Sequence, residues 1–315
     1  MWVYTFRRLL TIIPTLLVAS IIIFSFMHLM PGDPAAVMLG TNATPEQVER
    51  LRTQMGLNRP IYIQFLTWIR GAFVGDLGES IFFQSPVMSV IRSRAETSIL
   101  IAFFSMILIL TIGVPVGVIS AVKNNTPLDQ FSMGFAMLAA SIPTFWLGLN
   151  LMIIFSVNLG WLPSSGFPSV IESGNLMNLK YLILPCLTLA APNSALIIRL
   201  TRSSMLDVMS EEYVKTARAK GLKESEVVIK HIFRNAINSV VSALGFTFIA
   251  LLSGTVVTET VFSLPGVGSL VVQSVLRRDY PVIQGVIFVV VILYVLINLL
   301  TDLSYGFLDP RITYD

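Results

Sequence analysis

Long apolar segments alternate with short polar ones along most of this chain of 315 residues. An α-helix rises about 1.5 Å per residue, so roughly 20 apolar residues cross the hydrocarbon core of a bilayer. Six segments meet that length: Leu9–Met30, Ser98–Val122, Phe131–Leu159, Tyr181–Leu200, Ala236–Thr258 and Val282–Tyr305. Lipid offers no partner to an open strand edge. The pattern therefore predicts an all-α polytopic membrane protein with about six transmembrane helices.

Composition supports lipid as the main solvent of the chain. Hydrophobic residues make up 54% of it and charged residues only 12%, whereas soluble domains carry about 25% charged residues. The net charge of +3 is explained by basic residues in cytoplasmic loops. Because no basic cluster alternates with aromatic residues, we expect no nucleic-acid partner.

The first apolar segment is predicted to be a retained span. Leu9–Met30 follows Arg7 and Arg8, but it is longer than the h-region of a signal peptide and ends in Pro31 and Gly32 without a cleavage site of small residues. We therefore expect one membrane domain over residues 1–315.

The distribution of Lys and Arg predicts the orientation. With the N-terminus inside, the inner segments 1–8, 123–130, 199–235 and 306–315 hold twelve basic residues, and the short outer loops hold three. Basic residues in short loops stay on the cytoplasmic side. We therefore predict a multi-pass protein of a bacterial or archaeal cytoplasmic (inner) membrane with both termini in the cytoplasm.

The long outer segment 31–97 carries signals for short extracytoplasmic helices. Thr44 and Gln47 match a capping box, and Gly56 suits the end of that helix. A second helix opens at Pro60, with an apolar side formed by Ile61, Phe65, Trp68 and Ile69. Such helices lie on a membrane surface, or form a lid packed on the bundle; the sequence leaves both open.

The charged segment 199–235 predicts a short cytoplasmic helix with an exposed backbone. Ser210 is a candidate cap, Glu212 suits a helix start, and Gly221 is a candidate left-handed stop, after which a second helix is expected from about Glu224 to Arg234. Ala217, Ala219 and Gly221 are small enough for a partner's surface to approach closely. An ordinary loop that obeys the positive-inside rule explains the composition equally well.

Other residues within or beside the spans favour structural roles. Gly113 and Gly117 have the spacing of a helix-packing motif, and Pro143 predicts a kink. Cys186 is expected to be a small buried hydrophobe. Asp302, near the inner end of the last span, is expected to pair with a nearby charge. The outer loop Glu259–Tyr280 is expected to turn at Pro265 and Gly266 and then form a short helix over Ser269–Leu276, either a plug at the outer mouth or a plain connector.

Several short motifs appear in a fixed order along nearly the whole chain. They are Pro31-Gly32-Asp33-Pro34, Gly75-Asp76-Leu77-Gly78-Glu79-Ser80, Ile142-Pro143-Thr144-Phe145-Trp146, Leu162-Pro163-Ser164-Ser165-Gly166, Arg202-Ser203-Ser204, Tyr213 through Leu222, Arg234-Asn235-Ala236, Pro265-Gly266-Val267-Gly268, Arg278-Asp279-Tyr280-Pro281 and Asp309-Pro310-Arg311-Ile312. Together they resemble the permeases of binding-protein-dependent ABC importers, in the dipeptide, oligopeptide and nickel branch. Lys215-Thr216-Ala217 stands where the general family has Glu-Ala-Ala.

The resemblance implies a transport subunit and not an enzyme. It implies a second, homologous permease, two ATPase subunits that hold ATP and Mg, and an extracytoplasmic solute-binding protein, with no cofactor, metal or catalytic residue in this chain. The helix near Gly221 would be the coupling helix on an ATPase, with contacts expected from Glu212, Tyr213, Thr216, Ala217, Ala219, Gly221 and Leu222. The residues of the substrate path stay unassigned.

Three alternatives remain beside peptide import. The first is a permease for a nickel or metal chelate. The second is a secondary transporter, which would follow an ion gradient without an ATPase. The third is an intramembrane enzyme, which would need a clustered nucleophile and base or a metal site; one cysteine and two distant histidines, His28 and His231, argue against it. The chain also lacks a phosphate loop with its Lys-Ser/Thr pair.

Overall fold

The computed structural model describes residues 2–29, 33–39, 43–54 and 56–308. Regular secondary structure in these residues is helical, apart from one isolated bridge between Glu79 and Pro86. The first helices are α1 (Trp2–Leu29), α2 (Pro34–Leu39), α3 (Pro45–Gln54), α4 (Ile61–Phe73) and α5 (Val87–Val122). The next are α6 (Pro127–Ser141), α7 (Thr144–Leu151) with a π-helical continuation (Met152–Asn158), α8 (Val170–Ser173), and a 3₁₀ segment (Leu176–Leu182) leading into α9 (Ile183–Met209). The last are α10 (Glu212–Ala219), α11 (Glu224–Glu226) with a π-helical segment (Val227–Phe233), α12 (Arg234–Val261), α13 (Val267–Arg277) and α14 (Tyr280–Leu308).

The predicted all-α membrane fold is confirmed. In the described part of the chain, four helical stretches are long and apolar enough to cross a membrane, and a bent pair makes a fifth. The four are Val87–Val122, Leu176–Met209, Glu224–Val261 and Tyr280–Leu300, and the pair is Pro127–Ser141 with Thr144–Asn158. A shorter apolar stretch, Leu10–Phe26, lies within α1. Each of the six predicted apolar segments therefore overlaps one of these helices.

The third predicted segment, Phe131–Leu159, is not one continuous helix. It breaks between α6 and α7, whose axes differ by 100°. Ile142 has extended backbone angles (φ −79°, ψ 125°) and Pro143 follows it. A proline has no N–H for the helix ladder and disfavours a helical conformation in the residue before it. The expected kink at Pro143 is therefore a full interruption of the helix.

The chain divides into two compact units. One comprises residues 2–95 and 270–299, and the other comprises residues 96–269 and 300–308 of the described chain. The prediction of a single membrane domain over residues 1–315 stays a prediction. Pro31, Gly32 and residues 309–312, which belong to two of the motifs, lie outside the described residues, as does the side chain of Asp302.

Aromatic rings form the packed centre of the first unit. The ring centroids of Phe24 and Phe65 are 5.4 Å apart, and those of Trp68 and Phe288 are 5.5 Å apart. Edge-to-face pairs of this kind stabilise a core beyond the area they bury. Of the four residues on the predicted apolar side of α4, Phe65, Trp68 and Ile69 are partly buried, and Ile61 is exposed.

The capping box of α3 is confirmed. The Thr44 N–H donates to Gln47 Oε1 at 2.9 Å, and the Gln47 N–H donates to Thr44 Oγ1 at 3.4 Å. At the other end, Gly56 has a φ of +69°, and the Leu57 N–H donates to the Arg52 carbonyl at 3.0 Å. This is the left-handed termination that glycine favours.

Two of the sequence motifs meet in the first unit. The buried carboxylate of Asp279 accepts hydrogen bonds from the Ser80 hydroxyl and from the N–H groups of Ile81 and Phe82. Buried charges are stable only where such donors surround them. Asp279 therefore fixes the turn that precedes α5.

The glycine motif of α5 packs against α9 in the second unit. A Cβ added at Gly113 would lie 3.0 Å from Ile197 Cγ2, and one added at Gly117 would lie 2.6 Å from Thr201 Cβ. The two glycines thus permit close approach of the helices, and their predicted packing role is confirmed. Cys186, also on α9, is buried as predicted.

Candidate functional site: the charged helix-turn-helix loop

The candidate site is the charged loop, defined here as residues 210–233, between α9 and α12. Its first helix, α10, begins at Glu212 with Glu211 as the preceding cap residue. The expected cap by Ser210 is wrong, because the Ser210 hydroxyl donates to the Asp207 carbonyl at 2.7 Å and so belongs to the end of α9. Glu212 lies in the first turn, where a carboxylate interacts favourably with the helix dipole.

Gly221 ends this helix, as predicted. Its φ is +75°, and its N–H donates to the Arg218 carbonyl at 2.9 Å. No heavy atom lies within 4 Å of a Cβ built on Gly221. The glycine is therefore needed for its backbone conformation and not for space within the chain.

The second helix is longer than predicted. A helix from Glu224 to Arg234 was expected, but the chain continues without a break from α11 through the π-helical segment into α12. The resulting stretch, Glu224–Val261, has 38 residues. The charged loop is thus one end of a membrane-spanning helix.

The charged loop has its own apolar core. Val214 and Ala217 of α10 are buried in a cluster with residues from α5, α9 and the helix that follows. The other buried members are Ala121, Met205, Val227, Val228, Ile232 and Ala236. Ala217 therefore packs against the chain's own residues, and an enlarged side chain there would first disturb this core.

The remaining predicted contact residues lie at the surface. Glu212, Tyr213, Thr216, Ala219, Gly221 and Leu222 are all exposed. Tyr213 is 43% exposed and Leu222 is 37% exposed. Six of the seven predicted residues are thus accessible, and their contact with a partner stays a prediction.

Sequence reasoning missed one exposed apolar residue of the same loop. Ile229 is 65% exposed, whereas its neighbours Val227 and Val228 are buried. Its position after two core residues was the available signal, because a helix cannot bury three consecutive side chains on one face. Tyr213, Leu222 and Ile229 together supply apolar surface among charges.

Ion pairs hold the turn between the two helices. Arg218 donates to both carboxylate oxygens of Glu224, at 3.1 and 2.7 Å, across the turn at Gly221. This hydrogen-bonded carboxylate raises the pKa of Arg218. Two more pairs, Lys215 with Glu212 and Lys230 with Glu226, lie within single helices. Exposed pairs contribute little stability individually, but the bidentate pair defines the geometry of the turn.

An ion pair with one buried partner, Asp129, braces the helices next to the charged loop. Arg202 of α9 donates to both oxygens of Asp129, at 2.7 and 2.8 Å, and to the Asn124 side chain at 2.9 Å. The Ser120 hydroxyl also donates to Asp129. Removing Arg202 would leave the buried Asp129 carboxylate without its charged partner. Arg202 belongs to one of the sequence motifs, whereas Asp129 was not singled out.

No metal centre is found in the part of the chain that the structure describes, since no group of three or more His, Cys, Asp and Glu side chains there could hold an ion.

The family relationship covers nearly the whole chain. Residues 113–314 match the family described as binding-protein-dependent transport system inner membrane component. Residues 1–111 match the corresponding N-terminal family of membrane components. The chain therefore belongs to the binding-protein-dependent transport system inner membrane components and is a permease subunit of an ABC importer.

Curated relatives are similar over nearly their full length. The chain is 43% identical over 311 residues to the glutathione transport system permease protein GsiC of Escherichia coli (strain K12), with 99% of each chain covered. It is 41% identical over 309 residues to a protein named as a peptide transport system permease of Brucella abortus (strain 2308), with 98% of each chain covered.

A solved structure shares the fold. An inward-facing structure of the MetNI methionine ABC transporter contains a chain that superposes with a TM-score of 0.59 and 20% identity. The match covers 70% of this chain and 97% of that chain. At this identity the match concerns the architecture of the membrane helices.

Proposed function

We propose that this permease forms the translocation path for peptides, either di- or oligopeptides or a small peptide such as glutathione. The single observation that carries the substrate class is the identity of 41–43% to permeases named for peptide and glutathione transport, over at least 98% of the chain. An importer for a nickel or metal chelate is the alternative.

The same proposal places ATP hydrolysis in partner subunits, which would hold ATP and Mg. The charged loop is the proposed contact with an ATPase. It offers a short helix with exposed small residues, Ala219 and Gly221, beside the apolar side chains of Tyr213, Leu222 and Ile229. The small residues would let a partner's surface approach the helix closely, and the apolar side chains would be buried in a groove of that surface. Buried apolar and aromatic side chains supply much of the binding energy of protein interfaces.

Orientation and the other partners belong to the proposal too. Eight basic residues lie in the segment 199–235, which favours a cytoplasmic position for the charged loop. Both termini would then be cytoplasmic. A second, homologous permease would complete the path, and an extracytoplasmic binding protein would deliver the solute.

The test is uptake by the assembled transporter in vesicles, with its binding protein and ATPase subunits. Labelled dipeptide, labelled glutathione and a nickel chelate are compared, each with and without ATP. ATP-dependent accumulation of a peptide supports the proposal. Accumulation of the chelate alone would favour the alternative, and ATP-independent uptake abolished by a protonophore would favour a secondary transporter.

A further inference from the structure

The second compact unit contains a buried carboxylate that the proposed transport mechanism does not use. Glu259 is fully buried near the end of α12. It accepts a hydrogen bond from the Ser98 hydroxyl of α5 and one from the Ser269 N–H of α13, the latter at 2.7 Å. One side chain therefore joins three helices.

Ser98 extends this contact. Its hydroxyl donates to Glu259 and accepts from the Val267 N–H at 2.8 Å. Two N–H groups in the first turn of α13 are therefore linked to Glu259. The Ser269 N–H donates to the carboxylate directly, and the Val267 N–H donates to the Ser98 hydroxyl, which in turn donates to the carboxylate. The first N–H groups of a helix have no partner within the helix, so buried acceptors at this place stabilise its start.

The preceding turn is shaped around the same carboxylate. A Cβ built on Gly266 would lie 2.1 Å from Glu259 Cδ, and one on Gly268 would lie 2.9 Å from Glu259 Oε2. The carboxylate occupies the space that a side chain at Gly266 would need, whereas a Cβ at Gly268 would first meet Val256 Cα, at 2.6 Å. Ser269 closes the turn, because its hydroxyl accepts from the Gly266 N–H and donates to the Leu264 carbonyl. Gly266, Ser269 and Glu259 therefore form a matched set.

Glu259 lies on the helix that connects the charged loop with the start of α13. It lies two residues before the end of the continuous helix Glu224–Val261, whose other end is part of the charged loop. At about 1.5 Å per residue, the 38 residues extend over roughly 57 Å. A displacement of the charged loop can therefore reach the start of α13 through one helix, provided that the helix holds α13 firmly.

We propose that Glu259 is the positioning residue that fixes the start of α13 to this helix, so that α13 follows the movement of the charged loop. The part concerning transport rests on the proposed function. The attachment itself is a property of the single chain.

The attachment is tested by thiol labelling. Ser274 of α13 is buried, so a cysteine at this position reports release of the helix; Cys186, itself buried, is replaced by serine in the background. Ser274→Cys should react slowly with a membrane-permeant maleimide in the otherwise unchanged chain, and at least tenfold faster with Glu259→Ala. Ser98→Ala should act in the same direction and serves if Glu259→Ala does not reach the membrane. Equal labelling rates in all three would overturn the proposal.

A double-variant cycle shows whether Gly266→Ala acts through the Glu259 carboxylate or through a general structural defect. Gly266→Ala alone should release α13, because its methyl group collides with the Glu259 carboxylate. Combined with Glu259→Ala, it should add no further increase in labelling, since the carboxylate is gone. Gly134→Ala, at a glycine with no heavy atom within 4 Å of an added Cβ, is the control and should change nothing. An effect of Gly266→Ala that is the same with and without Glu259 refutes the pairing.

Transport gives the last readout. In the assembled importer, Glu259→Ala should lower ATP-dependent uptake at least tenfold while ATPase subunits stay bound and hydrolyse ATP. Unchanged uptake would overturn the role in transmission, even if the labelling result holds. If the unmodified importer transports no peptide, the proposed function fails, and the labelling and the double-variant cycle still decide whether Glu259 holds α13.

Discussion

At the scale of single residues, the small side chains of the charged loop serve two different purposes: one packs inside the loop, and the others leave its surface accessible. Sequence reasoning treated Ala217, Ala219 and Gly221 alike, as places where a partner could come close. In the structure Ala217 is buried in the core of the loop, whereas Ala219 and Gly221 are exposed. A larger residue at 217 would thus act on the loop itself. Only Ala219 and Gly221 are placed to test an outer contact, and at Gly221 the positive φ adds backbone strain.

Gly221→Val is expected to release the ATPase subunits or to uncouple transport from ATP hydrolysis. A β-branched residue in a left-handed conformation is strained by about 1–2 kcal/mol, and its side chain would project from the exposed turn. Uptake and retained ATPase are measured at equal membrane abundance. Lys215→Ala, at an exposed position that forms a surface ion pair with Glu212, should have a mild effect.

Gly174→Val is the matched control for that strain. Gly174 also has a positive φ, +64°, and no heavy atom within 4 Å of an added Cβ, but it follows α8, away from the charged loop. It should leave ATPase binding intact. Loss of ATPase with both variants would show that backbone strain in general, and not the site, is responsible.

At the scale of elements, the positions of the helices could be predicted from the sequence, but the places where helices break or join could not. Apolar length located the spans, and capping residues located both ends of α3, because these signals act within a few residues. Pro143 indicated a kink, but not that the helix would stop there and change direction by 100°. The fusion of α11 with α12 was not expected, because the charged residues up to Arg234 indicated a separate cytoplasmic helix. The closeness of α5 and α9 likewise became visible only where Gly117 meets Thr201.

Gly117→Ala is expected to destabilise the second unit. The added Cβ would lie 2.6 Å from Thr201 Cβ and 2.8 Å from the Ile198 carbonyl oxygen, so the helices must separate; overpacking of this kind costs about 1–3 kcal/mol. Thermal unfolding in detergent, followed by loss of monodisperse protein, should shift to lower temperature. Gly134→Ala should leave the transition unchanged or raise it slightly, and an equal shift in both variants would contradict the packing assignment.

At the scale of the whole molecule, the arrangement of basic residues predicts sidedness. In a background without Cys186, a cysteine at Glu172 should react with an impermeant maleimide from outside the cell. A cysteine at Glu224 should react only after the inner face is opened. Both side chains are exposed in the structure, so accessibility of the membrane side, and not burial, decides the result. The reverse pattern would invalidate the orientation and the assignment of the charged loop to the cytoplasm.

The sequence alone determined the membrane class, the approximate spans, the family resemblance and the place of the charged loop. These properties follow from apolar length, charge distribution and short motifs, all of which are local in the chain. Only the tertiary structure decided that Ala217 faces inward, that Arg202 is paired with Asp129, and that Glu259 occupies the space left by Gly266. These pairs are far apart in sequence or depend on how helices pack, and no local signal specifies which buried charge a distant donor will meet.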